Sequence, residues 1–166
     1  FSIGMPNSPD AKFAKLVADH IGSIHTNVEI PQQEWLDKLD VIIKMCETFD
    51  ITTIRASTGL YLITKWIAEN TDIKVLLTGE GSDELTGGYL YFHKAPNPTE
   101  FHKENIRLLN DLHFYDCLRA DRGIAIHGLE ARVPFLDYNF VDLYLSLDEK
   151  SRMVQPQEVN GKVVPC

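Results

Sequence analysis

Hydrophobic residues in the first half of the chain recur first at the spacing of a strand and then at the spacing of a helix. Residues 1–5 form a short, mainly apolar run, and Ser8-Pro9-Asp10 supplies the cap, the proline and the acid that favour a helix start. Apolar residues then follow at helical spacing, namely Phe13, Leu16, Val17 and Ile21. Gly22 is the residue type expected just beyond a helix end. The pattern therefore predicts a strand followed by an amphipathic helix.

The alternation of strand and helix patterns continues to residue 77. Apolar and polar residues alternate over 26–30, as in a half-buried strand, and Pro31 begins a second predicted helix. Its apolar face comprises Trp35, Leu36, Leu39, Ile42, Ile43 and Cys46. A third helix carries Leu60, Ile63 and Ile67. The run at residues 73–77 suits a strand buried on both faces. This order predicts an α/β fold with a parallel sheet and helices on both of its faces.

The pattern becomes helical from about residue 100. One predicted helix carries Ile106, Leu108, Leu109 and Leu112, and a second runs from Tyr115 to Gly128. Residues 131–135 form a Pro-containing loop, and we expect no further parallel strands. Residues 151–166 are polar and poorly periodic. We therefore predict one partial domain over residues 1–150, with a helical C-terminal part, followed by a divergent tail over 151–166. Both chain ends are expected to be cuts in a longer protein.

Composition and charge exclude several classes of protein. The chain has 16 Lys and Arg against 24 Asp and Glu, a net charge of −8, and 44% hydrophobic residues. These values are typical of a packed soluble protein, and no apolar run reaches the roughly 20 residues needed to cross a bilayer. The acidic balance argues against binding to nucleic acid. Cys46, Cys117 and Cys166 lack zinc-site spacing and fit a reducing compartment, so we expect a cytoplasmic protein.

The segment after the predicted strand at 73–77 contains the clearest chemical pattern. It reads Thr78-Gly79-Glu80-Gly81-Ser82-Asp83-Glu84, at the strand end where open α/β sheets bind ligands. Gly79 and Gly81 allow backbone N–H groups to approach an anion closely. The three carboxylates would repel a phosphate unless a divalent cation lies between them. Glycines and acids together therefore indicate a magnesium–nucleotide site.

Two observations leave an alternative to that interpretation open. The segment lacks the third glycine of a dinucleotide-binding turn, and no GxxxxGK[ST] motif occurs in the chain. From the residues alone, an acidic turn in which Ser82 or Asp83 caps a helix explains the pattern equally well.

Four blocks of the sequence resemble the synthetase domain of glutamine-hydrolysing asparagine synthetases. They are Phe1-Ser2-Ile3-Gly4-Met5 with Ser8-Pro9-Asp10, residues 52–58, residues 78–96, and residues 115–121 continuing to 130–137. The resemblance implies an ATP pyrophosphatase with a fold like that of the adenine-nucleotide alpha-hydrolases. In that family ATP, with Mg²⁺, and aspartate form β-aspartyl-AMP and pyrophosphate. Ammonia, which an N-terminal glutaminase domain releases from glutamine, then displaces AMP. The resemblance also implies a homodimer.

The resemblance implies a role for individual residues of this chain. Those that meet ATP are Ile3, Thr78, Gly79, Gly81 and Ser82. Glu80 and Asp83 are the implied catalytic acids, and Asp83 also holds magnesium on the pyrophosphate. Thr52 and Arg55 recognise aspartate, although from the residues alone a surface salt bridge of Arg55 is the simpler interpretation.

Arg119 and Arg132 are further candidates for the site. Arg119 shares a helical stripe with Asp116 and Arg122 at i, i+3 spacing, which equally suits an ion-paired helix face. Arg132 lies in the predicted loop at 131–135, which alternatively only turns the chain.

The sequence also departs from that family. It contains no Ser-Gly-Gly-x-Asp-Ser pyrophosphate loop, and it lacks the N-terminal nucleophilic cysteine, the glutaminase domain and the later lysine-containing segments. We expect asparagine synthesis from the full-length enzyme and no activity from these 166 residues alone. The alternative is a truncated, inactive nucleotide-binding or interaction module. A relative that adenylates another carboxylate, as β-lactam-forming synthetases do, fits the block at residues 91–96 less well.

Overall fold

The computed structural model describes residues 1–154, 157–159 and 162–164. In chain order the strands and helices are β1 (Ser2–Gly4), α1 (Pro9–Ile21), β2 (Asn27–Glu29), α2 (Gln32–Asp37), α3 (Leu39–Cys46), α4 (Ile51–Asn70), β3 (Val75–Leu77), α5 (Ser82–Thr86), α6 (Pro98–Asp111), α7 (Asp116–Ala125), β4 (Glu130–Arg132), α8 (Tyr138–Ser146), α9 (Glu149–Arg152), β5 (Gln157–Val159) and β6 (Lys162–Val164). Short 3-10 helices occur at Leu90–Lys94, Leu112–Phe114 and Pro134–Leu136. Most of the described chain is therefore helical.

The described residues divide into two compact units. The first consists of Phe1–Leu76 and Leu118–Ala131, and the second of Leu77–Cys117 with the described residues from Arg132 onward. The predicted tail at 151–166 includes residues 155, 156, 160, 161, 165 and 166, which lie outside the described residues. No helix of the part that the structure describes is long and apolar enough to span a membrane.

The first unit begins with the predicted strand, helix and strand. β1 and β2 pair in parallel, with Ile3 opposite Val28, and α1 connects them. Gly22 ends α1 at φ 71°, in the left-handed region that favours glycine, and Val28 is buried. These predictions are confirmed. Ser8 occupies the predicted cap position, but its hydroxyl makes no capping hydrogen bond.

The core of the first unit surrounds α4. Asp50 caps the start of this helix: its side chain accepts a hydrogen bond from the Thr53 N–H at 2.6 Å. Ile67, Ile124 and Leu129 form a buried cluster beside it. The residues packed around the cluster are Leu60, Ile63, Trp66, Ala68, Leu76 and Ala131. The predicted third helix is thus confirmed, and it forms the centre of this unit.

The helix predicted from Pro31 is two helices, α2 and α3, which meet at Lys38. The Lys38 N–H donates to the Trp35 carbonyl at 3.4 Å, an i−3 bond that tightens the backbone at this point. On the predicted apolar face, Ile42 and Cys46 are fully buried, whereas Leu36 is half exposed. One uninterrupted helix was therefore a wrong prediction.

The sheet prediction is confirmed only in part. The described strands form separate two-stranded sheets, β1–β2, β3–β4 and β5–β6, and the last pair is antiparallel. Val75 and Leu77 in β3 are 48% and 77% exposed, so burial of both strand faces is wrong for the described chain. β3 has β4 as its neighbour there, and burying both faces needs neighbouring strands and covering helices. The loop predicted over residues 131–135 is wrong for Ala131 and Arg132, which belong to β4 and are held beside β3 by main-chain hydrogen bonds.

In the second unit α5 packs on α6. Leu85 and Phe101 are fully buried, and the rings of Phe92 and Phe101 meet edge to face with centroids 5.0 Å apart. Gly87 ends α5 at φ 73°, and a Cβ at this position would lie 2.5 Å from Cζ of Phe101. Asn97 caps α6 by accepting a hydrogen bond from the Glu100 N–H at 2.9 Å. The packing of α5 on α6 therefore anchors the segment at 78–89 within the second unit.

Candidate functional site

The glycine–acid segment forms a tight turn that leads from β3 into α5. The Thr78 N–H donates to the Arg132 carbonyl at 2.9 Å, and the Ser82 N–H donates to the Gly79 carbonyl at 3.1 Å. Thr78, Gly79, Glu80, Gly81, Ser82 and Asp83 therefore occupy one continuous turn of the second unit, and the backbone of Arg132 adjoins it.

The two glycines of this turn have different structural requirements. Gly81 is buried at φ 86°, and a Cβ there would lie 2.7 Å from Cγ of Leu136. Gly79 is exposed and lies outside the left-handed region, and the nearest atom to a Cβ there would be Oγ of Ser82 at 4.0 Å. Gly81 is thus needed for the turn itself, whereas Gly79 leaves open space above the backbone.

The three acids of the segment have different surroundings. Asp83 is exposed, Glu80 is half-buried and Glu84 is only 4% exposed. Glu84 accepts a hydrogen bond from the Tyr89 hydroxyl. Burial raises the pKa of Glu84, and the hydrogen bond from Tyr89 opposes that rise. Glu84 is therefore part of the packing, and Glu80 and Asp83 remain as acids that a ligand can reach.

The cysteine near these acids is a poor nucleophile. Burial raises the pKa of the Cys117 thiol, and repulsion from Glu80, Asp116 and Glu84 raises it further. A thiol with a raised pKa stays protonated, and the thiolate is the reactive form.

The turn fits a magnesium ion that is shared with a bound phosphate. In residues 1–154, no group of three or more His, Cys, Asp or Glu side chains is placed to hold a metal. Magnesium commonly takes only one or two protein carboxylates and completes its shell with water and substrate phosphates. The exposed carboxylate of Asp83, with Glu80 in the same turn, matches that set of ligands.

The predicted aspartate-binding residues lie in the first unit. Thr52 and Arg55 are both exposed and stand one helical turn apart near the start of α4. The guanidinium of Arg55 makes no hydrogen bond or ion pair with any other residue of 1–154. The surface salt bridge considered for it is therefore not formed within that part of the chain.

Arg55 also lines a cavity of about 300 Å³. The other lining residues are Trp35, Leu36, Leu39, Ile51, Ile54 and Thr58. The sequence pattern gave no sign of this cavity, because it depends on how α2, α3 and α4 pack. Ile3 lies nearby in the same unit: its Cγ2 would be 3.9 Å from a Cβ on Gly59 of α4.

The arginines of α7 are only partly explained by an ion-paired helix face. Arg122 pairs with Glu47 at 3.0 Å and donates to the Cys46 carbonyl, so it holds the C-terminal end of α3. Its partners therefore lie on another helix. Arg119 lies on the same helix α7, within the first unit.

The sequence profile of the asparagine synthase family matches residues 1–101 and 94–162. The chain belongs to this family. It is 56% identical over 153 residues to the glutamine-hydrolysing asparagine synthetase of Homo sapiens, covering 92% of this chain and 27% of the human protein. With the same coverage, the proteins of that name from Bos taurus and Gallus gallus are 55% and 54% identical. The chain therefore spans about a quarter of the length of these relatives.

Family membership confirms the resemblance that the four sequence blocks indicated. In this asparagine synthase chain the residues carried over from the family lie in both units. Those of the first unit are Ile3, Thr52, Arg55 and Arg119, and those of the second are Thr78, Gly79, Glu80, Gly81, Ser82, Asp83 and Arg132. The sequence did not indicate that the Glu84 side chain would be buried and hydrogen-bonded to Tyr89. The signal for it was the tyrosine five residues further on, just beyond the Gly87-Gly88 pair.

Proposed function

We propose that this chain is part of the synthetase domain of a glutamine-hydrolysing asparagine synthetase. That enzyme joins aspartate to ammonia at the expense of ATP, through β-aspartyl-AMP. The observation that supports this most directly is 56% identity to an enzyme of that name over 92% of the chain. The turn at 78–83 adds support, because it combines an open backbone at Gly79 with two reachable carboxylates.

The proposed roles follow from the charges that the reaction brings together. A substrate carboxylate attacks the α-phosphate, so two anions must approach each other. The backbone of Thr78, Gly79, Gly81 and Ser82 meets the nucleotide, and Ile3 packs against the adenine. Asp83 would hold Mg²⁺, which would supply positive charge to offset that of the pyrophosphate. Glu80 acts in formation of the acyl-adenylate.

Cationic residues of the chain have proposed roles in the same reaction. Arg55 can bind a substrate carboxylate through two parallel hydrogen bonds, and its guanidinium has no partner within residues 1–154 that would have to be displaced. Thr52 stands beside it on α4. Arg119 and Arg132 are proposed to stabilise negative charge during adenylate formation.

The wider organisation is also a proposal. Residues 1–150 form part of a domain with the adenine-nucleotide alpha-hydrolase fold, and residues 151–166 form a divergent tail. A glutaminase domain supplies ammonia, and the complete enzyme works as a homodimer in the cytoplasm. The absence of a Ser-Gly-Gly-x-Asp-Ser loop from these 166 residues favours an alternative for the chain alone, a catalytically inactive nucleotide-binding or interaction module.

Aspartate-dependent release of pyrophosphate tests the proposal. In the complete synthetase containing these residues, Asp83→Asn should lower that release by about 100-fold or more, because it removes a charge that acts on the reacting phosphates. Asp142→Asn is the matched control, since Asp142 is an exposed acid of α8. Undiminished release by Asp83→Asn would refute the metal-binding role. For the isolated 166 residues, formation of asparagine from ATP, aspartate and ammonia would refute the expected inactivity.

A further inference from the structure

The main chain of Asp83, in the first turn of α5, is hydrogen-bonded to the two glycines that follow this helix. Its main-chain carbonyl accepts hydrogen bonds from the N–H groups of Gly87 and Gly88, at 2.9 and 3.0 Å. The chain at Gly87 and Gly88 therefore turns back toward Asp83. As a result, the Cα of Gly88 lies against the side chain of Asp83.

A side chain at position 88 would occupy the place of the Asp83 carboxylate. A Cβ on Gly88 would lie 3.0 Å from Cγ of Asp83 and 3.3 Å from its Cα, and it would overlap Oδ1. The overlapping atom is the end of a side chain that rotates about two bonds. Because Asp83 is exposed, its carboxylate can swing away into solvent. The remaining contact with the Cα of Asp83 requires a shift of only a few tenths of an ångström.

The backbone gives no other reason for a glycine at this position. Gly87 is in the left-handed region at φ 73°, where other residues are strained, but Gly88 is not among the glycines with positive φ. Gly88 is also exposed, and the three atoms nearest to a Cβ there all belong to Asp83. The space that the missing side chain leaves is therefore used by the Asp83 carboxylate.

We propose that Gly88 is a positioning residue: by having no side chain, it lets the Asp83 carboxylate take the orientation in which it binds magnesium with the nucleotide. This rests on the role proposed above for Asp83. Gly88 itself touches neither the metal nor the substrate. Its effect is on where the carboxylate oxygens lie, and misplacing a metal-binding carboxylate weakens binding without removing the ligand.

The first experiment compares Gly88→Ala, Asp83→Ala and the double variant in the complete synthetase. Gly88→Ala should raise the Mg²⁺ concentration needed for half-maximal pyrophosphate release by about tenfold, as for other changes beside a metal ligand. The double variant should match Asp83→Ala, because alanine at 88 has no carboxylate left to displace. A Gly88→Ala enzyme with wild-type magnesium dependence, beside an impaired Asp83→Ala enzyme, would overturn only this inference. An Asp83→Ala enzyme with wild-type behaviour would overturn the proposed role of Asp83 as well.

A second measurement does not depend on turnover. MgATP should raise the unfolding temperature of the wild-type synthetase, and Gly88→Ala should reduce that increase while leaving the unfolding temperature without ligand unchanged. An equal increase in both proteins would contradict the inference. Gly88→Ala and the double variant should both fold, because the displaced carboxylate can turn into solvent. Loss of folding in both would place the collision on the backbone and overturn the inference.

Discussion

The hydroxyl group of Tyr89 donates a hydrogen bond to the buried carboxyl group of Glu84. The Glu84 main-chain carbonyl also accepts a hydrogen bond, from Nδ2 of Asn105 at 2.6 Å. Burial raises the pKa of Tyr89, and its hydrogen bond to Glu84 raises it further, so the phenol remains the donor. These contacts attach the short helix α5, which carries Asp83, to the segment that follows it and to α6.

Removing the Tyr89 hydroxyl group should therefore destabilise the second unit. Tyr89→Phe leaves a buried carboxyl oxygen without its partner and should lower the free energy of unfolding by about 1–3 kcal/mol. Tyr91→Phe is the matched control. Tyr91 donates to Glu104 at 2.8 Å but is 46% exposed, so water can replace its hydroxyl and the loss should stay below about 0.5 kcal/mol. Urea unfolding of the 166-residue chain measures both, and equal losses would contradict the difference in burial.

The two glycines of the turn should respond differently to alanine. Gly81→Ala combines a left-handed backbone with overlap on Leu136, and we expect it to lower the free energy of unfolding by at least about 2 kcal/mol. Gly79→Ala meets no atom closer than 4.0 Å, so its effect on stability should be small. Thermal unfolding of the two variants makes the comparison. If Gly79→Ala proved the more damaging, the structure of the turn would be wrong.

Replacing Arg55 should raise the KM for aspartate more than the KM for ATP. Because its guanidinium has no partner in residues 1–154, Arg55→Ala should leave stability nearly unchanged. In the complete synthetase it should raise the KM for aspartate by about tenfold or more, through the lost charge-assisted hydrogen bonds. Arg107→Ala, which removes exposed ion pairs with Glu104 and Asp111 on α6, should change neither KM. Equal effects of Arg55→Ala on both KM values would remove the assignment to aspartate.

The stability of the first unit should decrease as the pH falls. His127 lies 3.0 Å from the Thr64 hydroxyl, and burial lowers its pKa below the ordinary value of 6.5. Glu69 and Lys65 of α4 act on it in opposite directions. Because the unfolded chain takes up a proton first as the pH falls, acid favours unfolding below about 6.5.

Replacing the imidazole tests this pH dependence. His127→Asn should show a smaller loss of stability than the wild type between about pH 8 and about pH 5, since no proton is taken up at that position. Urea unfolding at several pH values measures the difference. An identical slope for both proteins would mean that His127 does not contribute.

The apolar face of α1 should not contribute to stability in the 166-residue chain. Phe13 and Val17 are 64% and 59% exposed, so Phe13→Gln and Val17→Gln should each change the free energy of unfolding by less than about 0.5 kcal/mol. Both should raise solubility, because they shrink an exposed apolar patch. Ala18, buried on the same helix, is the control, and Ala18→Gln should cost at least about 1 kcal/mol. A large loss from Phe13→Gln would show that this face is covered.

Features that depend on a few neighbouring residues were predictable. Pro9 and Gly22 located the two ends of α1, because the fixed φ of proline and the left-handed conformation of glycine act within one helical turn. The break at Lys38 and the strand β4 were not predictable in this way. The first is a local change of hydrogen-bond pattern within one apolar face, and the second contains only one apolar residue between two charged ones.

By itself, the sequence determined the family, the order of most strands and helices, and the turn at 78–83 that carries Glu80 and Asp83. Each of these features depends on residues that lie close together in the sequence. Only the tertiary structure decided that Glu84 is buried and hydrogen-bonded to Tyr89, and that Arg55 lines a cavity. It also decided that the Asp83 carboxylate occupies the space where a side chain at position 88 would lie. The physical reason is that burial and steric contact are set by which segments pack together. Glu80, Asp83 and Glu84 all carry a carboxyl group, and only their surroundings in the fold distinguish them.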